Sequence, residues 1–222
     1  MMSNLCRINS EQLVKILADF WPKPICLLCH QSLPQFARIC EACLSQLPWT
    51  QDKIVLSGLG NICVAMDYAP PIDQLVLGGK FSGHIANLSL LAELFISYWQ
   101  KNQIPLPEVL IPVPLHAQRL RERGYNQALE LAKIIGRKLQ VPVDFTSVKR
   151  IKATQAQASL PAKMRAGNMR GAFSLRKALN YSHVAIIDDV FTTGNTVREL
   201  SELLHASNVK QVDVYCVARA LL

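Results

Sequence analysis

The chain has 222 residues, half of them hydrophobic, with a formal net charge of +8. That is enough apolar material for one moderate packed domain plus a small extra module. No run approaches the roughly 20 apolar residues that span a bilayer, and only Arg7 precedes a weak apolar start that soon meets Glu11, so neither a membrane span nor a secretory signal is expected, and a soluble cytoplasmic protein is.

The first predicted element is an amphipathic helix. Ser10 is its N-cap, Leu13, Ile16, Leu17 and Phe20 line one side, and Trp21-Pro22 with Pro24 stops it. Cys26-x-x-Cys29 follows, and after ten residues Cys40-x-x-Cys43. Two such knuckles place four thiolates around one tetrahedral Zn²⁺, and a module this short has little core without a metal. Two disulfides are the alternative, but nothing marks the chain as secreted, and cytosolic thiols stay reduced. A thioredoxin-type site would need a single Cys-x-x-Cys at a helix start. His30 is surplus to a complete four-cysteine set. Cys6, Cys63 and Cys216 are isolated, the last two in apolar strand-like runs that read as core. Composition shifts around Pro48 to Lys53, dividing the chain into a helix and zinc module at 1–52 and a main domain at 53–222.

Ile62 to Tyr68 reads as a strand, broken by Pro70-Pro71. The glycines of Leu75 to His84 predict a flexible basic loop in which Lys80 is a candidate phosphate contact. Ile85 to Trp99 is the most apolar helix candidate, interrupted by Asn87 and Glu93. Val109 to Pro114 is a short buried strand whose prolines set a fixed exit. The exit leads into a loop bearing Arg119, Arg121 and Arg123, a residue type suited to bidentate phosphate contact. Ala128, Leu131, Ala132, Ile135 and Leu139 then recur at helical spacing.

Between Phe145 and Ile187 there is no acid, yet Lys149, Arg150, Lys152, Lys163, Arg165, Arg170, Arg176 and Lys177 fall there. Such a run points to a polyanionic ligand: pyrophosphate, nucleic acid, or both. Inside it, Thr154, Gln157, Arg165 and Asn168 lie on a polar excursion whose length fits a mobile lid. Lys23 and Arg38 add cations, and Phe36 and Trp49 could offer stacking faces for a single strand, although core burial is the favoured reading for both.

Val184 to Ile187 is an apolar strand that runs into Asp188-Asp189, then into Thr192-Thr193-Gly194-Asn195-Thr196 and a helix carrying Val197, Leu200, Leu203 and Leu204. That order aims backbone N–H groups and a positive helix end at one spot, where a phosphate fits. The two carboxylates beside it suit sugar hydroxyls or a bound Mg²⁺. Val209 to Ala218 is the last strand.

Residues 184–196 resemble the phosphoribosyl-pyrophosphate (PRPP) signature of type I phosphoribosyltransferases. The resemblance implies that Asp188 and Asp189 hold the ribose hydroxyls and that residues Thr192 to Thr196 cradle the 5′-phosphate, with Mg²⁺ accompanying PRPP. Over essentially the whole chain, the four-cysteine module, Pro-Val-Pro-Leu-His, the Arg119 to Gln127 block and the signature together resemble the ComF family of competence proteins. This implies an α/β fold: a type I phosphoribosyltransferase-like, Rossmann-type core with a parallel sheet flanked by helices, plus the small zinc module. It also implies a cytoplasmic role in DNA uptake during natural transformation, with PRPP and single-stranded DNA as ligands and other DNA-import proteins, a helicase or strand-binding factors, as partners. An active phosphoribosyltransferase of nucleotide metabolism or salvage is the alternative. No catalytic residue is assigned, because no base pocket is identifiable. A zinc-dependent interaction module with a degenerate site is the third reading, opposed by the intact signature.

Overall fold

The computed structural model describes residues 24–34, 37–51, 54–56, 58–81, 85–152 and 171–220, with backbone only at 80 and 81. The chain divides into two compact units, Met1–Gln46 and Leu47–Leu222. The predicted helix at residues 10–20 lies outside the described residues, as do Cys6 and Phe36.

In the first unit, Ile25 bridges Ser32 in antiparallel fashion, and His30 N–H donates to the Cys26 carbonyl at 2.9 Å. This closes a tight knuckle in which His30 takes a positive φ of 61°. Helix α1, Glu41–Ser45, is capped by Cys40, whose Sγ accepts from Cys43 N–H at 3.4 Å.

The second unit is built on a four-stranded sheet of β1 (Ile62–Asp67), β2 (Val109–Pro112), β5 (His183–Phe191) and β6 (Gln211–Arg219). Their order is β1-β6-β5-β2 and every pairing is parallel. Strands buried on both faces read as nearly continuous apolar runs, and Val184 to Ile187 and Val214 to Ala218 are buried throughout. One face of β5 and β6 (Val184, Ile186, Val212, Val214, Cys216) packs with Val197, Leu200 and Leu204 of α6, which spans Asn195–His205. On the other face Tyr215 meets Phe95 of α3 (Ile85–Lys101), ring centroids 5.6 Å apart. Helix α5, Gln127–Leu139, packs beside α3 and against β2 and β5. The segment before β1 belongs to this unit: Trp49 bridges Met66, and Thr50 N–H donates to the Ala65 carbonyl at 3.0 Å.

Two predicted loops are helices instead. Ile72–Phe81 forms α2, Gly78 and Gly79 included. A Cβ on Gly78 would stand 2.7 Å from Asn87 Nδ2, and one on Gly79 2.9 Å from Leu88 Cδ2. The glycines therefore serve a close helix–helix approach, not a flexible turn. The arginine loop is likewise a short helix, α4, Ala117–Arg123, with His116 as N-cap and Gly124 as a left-handed C-cap. Between α5 and β5 lies an antiparallel ribbon of β3 (Val148–Arg150) and β4 (Phe173–Leu175) that the sequence pattern did not reveal. Among the described residues no helix is long and apolar enough to cross a membrane.

Candidate functional site

Strand β5 is flanked on one side by β6 through Phe191, but β2 accompanies it only as far as Ile187. Past that point Val113 N–H still donates to the Ile187 carbonyl at 2.9 Å, and the chain then leaves at Pro114. Asp188 and Asp189 therefore stand where the sheet opens, at the carboxyl ends of parallel strands, the place where open α/β sheets bind ligands. Both are half-buried. Asp188 Oδ1 accepts from Asp189 N–H at 2.9 Å, and Asp189 Oδ1 from Val190 N–H at 2.8 Å.

Thr192, Thr193 and Gly194 connect β5 to α6, with Thr192 exposed and Thr193 half-buried. Gly194 is the α6 N-cap with φ 74° and ψ 0°, and no side chain caps that end. The first N–H groups of this eleven-residue helix, those of Asn195 and Thr196 among them, precede any intrahelical bonding and point out of its N-terminus. A Cβ at Gly194 would come within 2.9 Å of Leu56 Cδ1 and 3.1 Å of Phe191 Cζ. Only glycine meets both the left-handed backbone and this contact.

Arg150 joins the site from β3, a residue that sequence reasoning left in a general basic run. Burial draws its pKa down, the Asp188 carboxylate draws it back up, and Arg119 pushes it down again. Its guanidinium lies 5.6 Å from the Phe173 ring centroid. The three arginines of α4 are not brought together. Arg119 and Arg123, four residues apart, share a side and are half-buried, whereas Arg121 points away and is exposed. Arg119 is the one within electrostatic reach of Arg150. The Lys80 side chain and the lid residues Thr154, Gln157, Arg165 and Asn168 lie outside the described residues, though β3 and β4 bracket 153–170. Trp49 is not a free stacking face, since it stacks on Tyr98 at 6.3 Å with planes 7° apart.

Behind the acids, burial pushes the Cys216 thiol well up, and the nearby Asp188 and Asp189 carboxylates add to it. Cys63 is raised by burial and by Asp213. Both are inert core thiols, as their apolar settings led us to expect.

In the first unit the sulfurs of Cys26, Cys29, Cys40 and Cys43 all lie within 4.8 Å of one another, close enough to hold a metal ion. Cys29 and Cys40 Sγ are 3.6 Å apart. A tetrahedron with metal–sulfur bonds of about 2.3 Å has edges of about 3.8 Å, so this donor set fits Zn²⁺. Burial opposes ionisation of Cys26, but N–H groups of Cys29, Cys40 and Leu28 outweigh it and bring the thiol to about 6. Hydrogen bonding to Cys40, then burial, pushes Cys43 up to about 12. The Cys26 thiolate forms readily while Cys29 and Cys43 resist joining it, a conflict that a divalent cation resolves.

A family model described as "Phosphoribosyl transferase domain" matches residues 126–221. Competence protein F of Haemophilus influenzae is 38% identical over 204 residues, covering 89% of this chain and 85% of that protein. The DNA utilization protein YhgH of Escherichia coli is 32% identical over 208 residues, 90% of this chain and 86% of its own length. Competence protein ComFC of Bacillus subtilis is 24% identical over 200 residues, 88% and 78% of the two chains. A solved purine phosphoribosyltransferase from Pyrococcus horikoshii is 20% identical, covers 60% of this chain and 69% of its own, and has a TM-score of 0.30.

Proposed function

The chain belongs to the ComF family of competence proteins, and from that premise we propose that it binds PRPP and single-stranded DNA in the cytoplasm and serves DNA uptake. Its core is a phosphoribosyltransferase-type α/β domain. The observation that carries the reading is the pair Asp188 and Asp189 on β5, one step beyond the last β2 pairing and beside the N-terminus of α6. In this reading the carboxylates take the ribose hydroxyls, and Thr192, Thr193, Gly194, Asn195 and Thr196 take the 5′-phosphate. Arg119, Arg123 and Arg150 balance pyrophosphate charge, with Arg121 and Lys80 further candidates. The lid role of Thr154, Gln157, Arg165 and Asn168 rests on the length and the polar, basic composition of that stretch. The carboxylates are hard oxygen donors of the kind that supports Mg²⁺ around a pyrophosphate; when bound, that ion would offset the leaving group's charge. Zn²⁺ in the four-cysteine cluster is the structural metal we propose for the first unit.

The names of the relatives support the DNA half: two are called competence proteins and one a DNA utilization protein. Imported strands, and the helicase or strand-binding proteins that handle them, are the partners proposed. The family model favours one alternative, an active phosphoribosyltransferase that transfers the pentosyl group to a base in nucleotide metabolism or salvage.

Calorimetry with PRPP, with and without Mg²⁺, tests the first half; saturable Mg²⁺-dependent binding is expected, and no heat at millimolar PRPP would reject it. Pyrophosphate release in a screen of free bases separates the enzyme from the binder. Fluorescence anisotropy with a labelled oligonucleotide across a salt series tests the second half. Arg119→Ala with Arg123→Ala, and Lys149→Ala with Arg150→Ala, should each weaken binding and flatten the salt slope by roughly one unit for each phosphate no longer neutralised. DNA binding indifferent to all four changes would count against it.

A further inference from the structure

A cavity of about 460 Å³ opens between the β2 exit, α4, the start of α5 and β3. Arg150 forms part of its wall and is within electrostatic reach of Asp188. Its apolar lining includes Pro114, Leu120, Tyr125 and Phe145, and Lys149 and Arg176 also line it. Lys149 and Arg176 are exposed. The one acid in the lining, Glu130, is paired with Lys133 at 2.7 Å, so the cavity as a whole is cationic. This volume suits one planar ring system with its attached groups.

Phe145 is 56% exposed and sits in a turn whose backbone is tied down by its neighbours. Asp144 Oδ1 accepts from the N–H groups of Thr146 and Ser147, each at 3.0 Å, on the far side of the phenylalanine. The Arg176 N–H donates to the Ser147 carbonyl at 2.8 Å, which sets that cation against the same turn. The Tyr125 hydroxyl is buried and has no hydrogen-bond partner among the described residues. Burial raises its pKa, with Arg123 opposing the rise and Glu130 adding to it, so it remains a neutral hydroxyl. An exposed aromatic side chain in the wall of a cavity with cations on its rim is a combination suited to a nucleotide.

We propose that this cavity takes a base of the single-stranded DNA, stacked on Phe145, with Lys149 and Arg176 on the flanking phosphates. The assignment rests on the proposed single-strand binding and adds to it the place where bases, not only phosphates, are bound. Readout by stacking carries little sequence preference, because every base has a π-face, as a strand-import protein requires.

The test compares labelled oligothymidylate with an abasic strand of the same length, on the full-length zinc-loaded protein, across a salt series. The wild type should bind the base-bearing strand clearly more tightly than the abasic one. Phe145→Ala should weaken the base-bearing strand roughly 5- to 150-fold, the scale of one stacked base, with its salt slope unchanged and the abasic strand unaffected. Phe145→Tyr should restore binding. Lys149→Ala with Arg176→Ala should instead lower the slope for both strands, by about two units. Thermal melting checks that the exposed position leaves the fold intact. Equal binding of both strands by the wild type, or an unaffected Phe145→Ala, overturns the slot and leaves single-strand binding standing. Tight binding of thymidine monophosphate alone, without the strand, also overturns it in favour of a free-nucleotide site. Failure of both strands to bind at low salt removes the DNA reading and the slot with it.

Discussion

Ile187 of β5 stands in register with Pro112 of β2, and Pro112 is the last residue of that strand. The neighbour thus withdraws one residue before the acids begin. β6 keeps pace on the other side, pairing Asp188 with Cys216 and Phe191 with Arg219. The acid pair is held firmly by one flank and opened by the other. The last bond between the two strands runs from Val113 N–H to the Ile187 carbonyl, before the chain leaves at Pro114.

Asp188→Ala combined with Asp189→Ala should leave the protein folded, since both side chains are only half-buried at the strand end. PRPP affinity should fall by at least about 2 kcal/mol, the scale of charge-assisted hydrogen bonds left unmade. Thr193→Val, which keeps shape and removes a hydroxyl, should lose less. Calorimetry reads both; unchanged affinity in the double variant means that PRPP binds elsewhere.

Gly194→Ala should destabilise the domain by about 1–3 kcal/mol. The left-handed backbone costs about 1–2 kcal/mol, and the contact with Leu56 adds to it. Gly58→Ala is the matched control: its φ is 81°, but nothing lies within 4 Å of an added Cβ. In urea unfolding Gly194→Ala should be the more costly of the two. Equal costs would show that the packing around Gly194 gives way freely.

Purified protein should carry one zinc, bound by Cys26, Cys29, Cys40 and Cys43. Cys29→Ser should release it and unfold the unit ending at Gln46, with the unit from Leu47 onward still folding. Elemental analysis and limited proteolysis report on each half of this expectation. Metal-free protein with two disulfides would end the zinc assignment.

Asp144 makes a pH-dependent contribution. Burial alone would raise its pKa, but the Ser147 hydroxyl and the N–H groups of Thr146 and Ser147 hold the carboxyl below the usual range. A depressed folded pKa stabilises the protein above the unfolded value of about 3.9. That stability is lost as pH falls through the folded pKa. Asp144→Asn should therefore cost roughly 1–3 kcal/mol near neutrality, and the gap from wild type should close below about pH 4. Urea unfolding at a series of pH values measures it; a gap that widens in acid would reverse the assignment of sign.

The elements that the sequence made legible are those whose pattern is long and self-consistent. β1, β2, β5 and β6 appear as apolar runs, and α3, α5 and α6 as apolar residues at helical spacing. α2 was hidden because Gly78 and Gly79 normally signal a turn; only their packing against Asn87 and Leu88 makes them helical. α4 was hidden because seven mostly polar and basic residues carry no apolar face to read. β3 and β4 are three residues each, too short for any period to show.

The same division runs through the sites. The closeness of the four cysteines, and the placement of Asp188 to Thr196 between a buried strand and a helix, were readable because each lies in a short, nearly contiguous piece of chain. By itself the sequence determined the fold class, the four cysteines and the acid-and-threonine signature. Tertiary structure decided that Arg150 reaches Asp188, that Arg119 and not Arg121 lies near Arg150, and that Tyr125, Phe145 and Arg176 border one cavity. Those pairings join residues tens of positions apart, and their proximity follows from how β3, α4 and the sheet edge pack. Residue type can suggest what such groups would do, but only packing of the sheet and its helices brings them together.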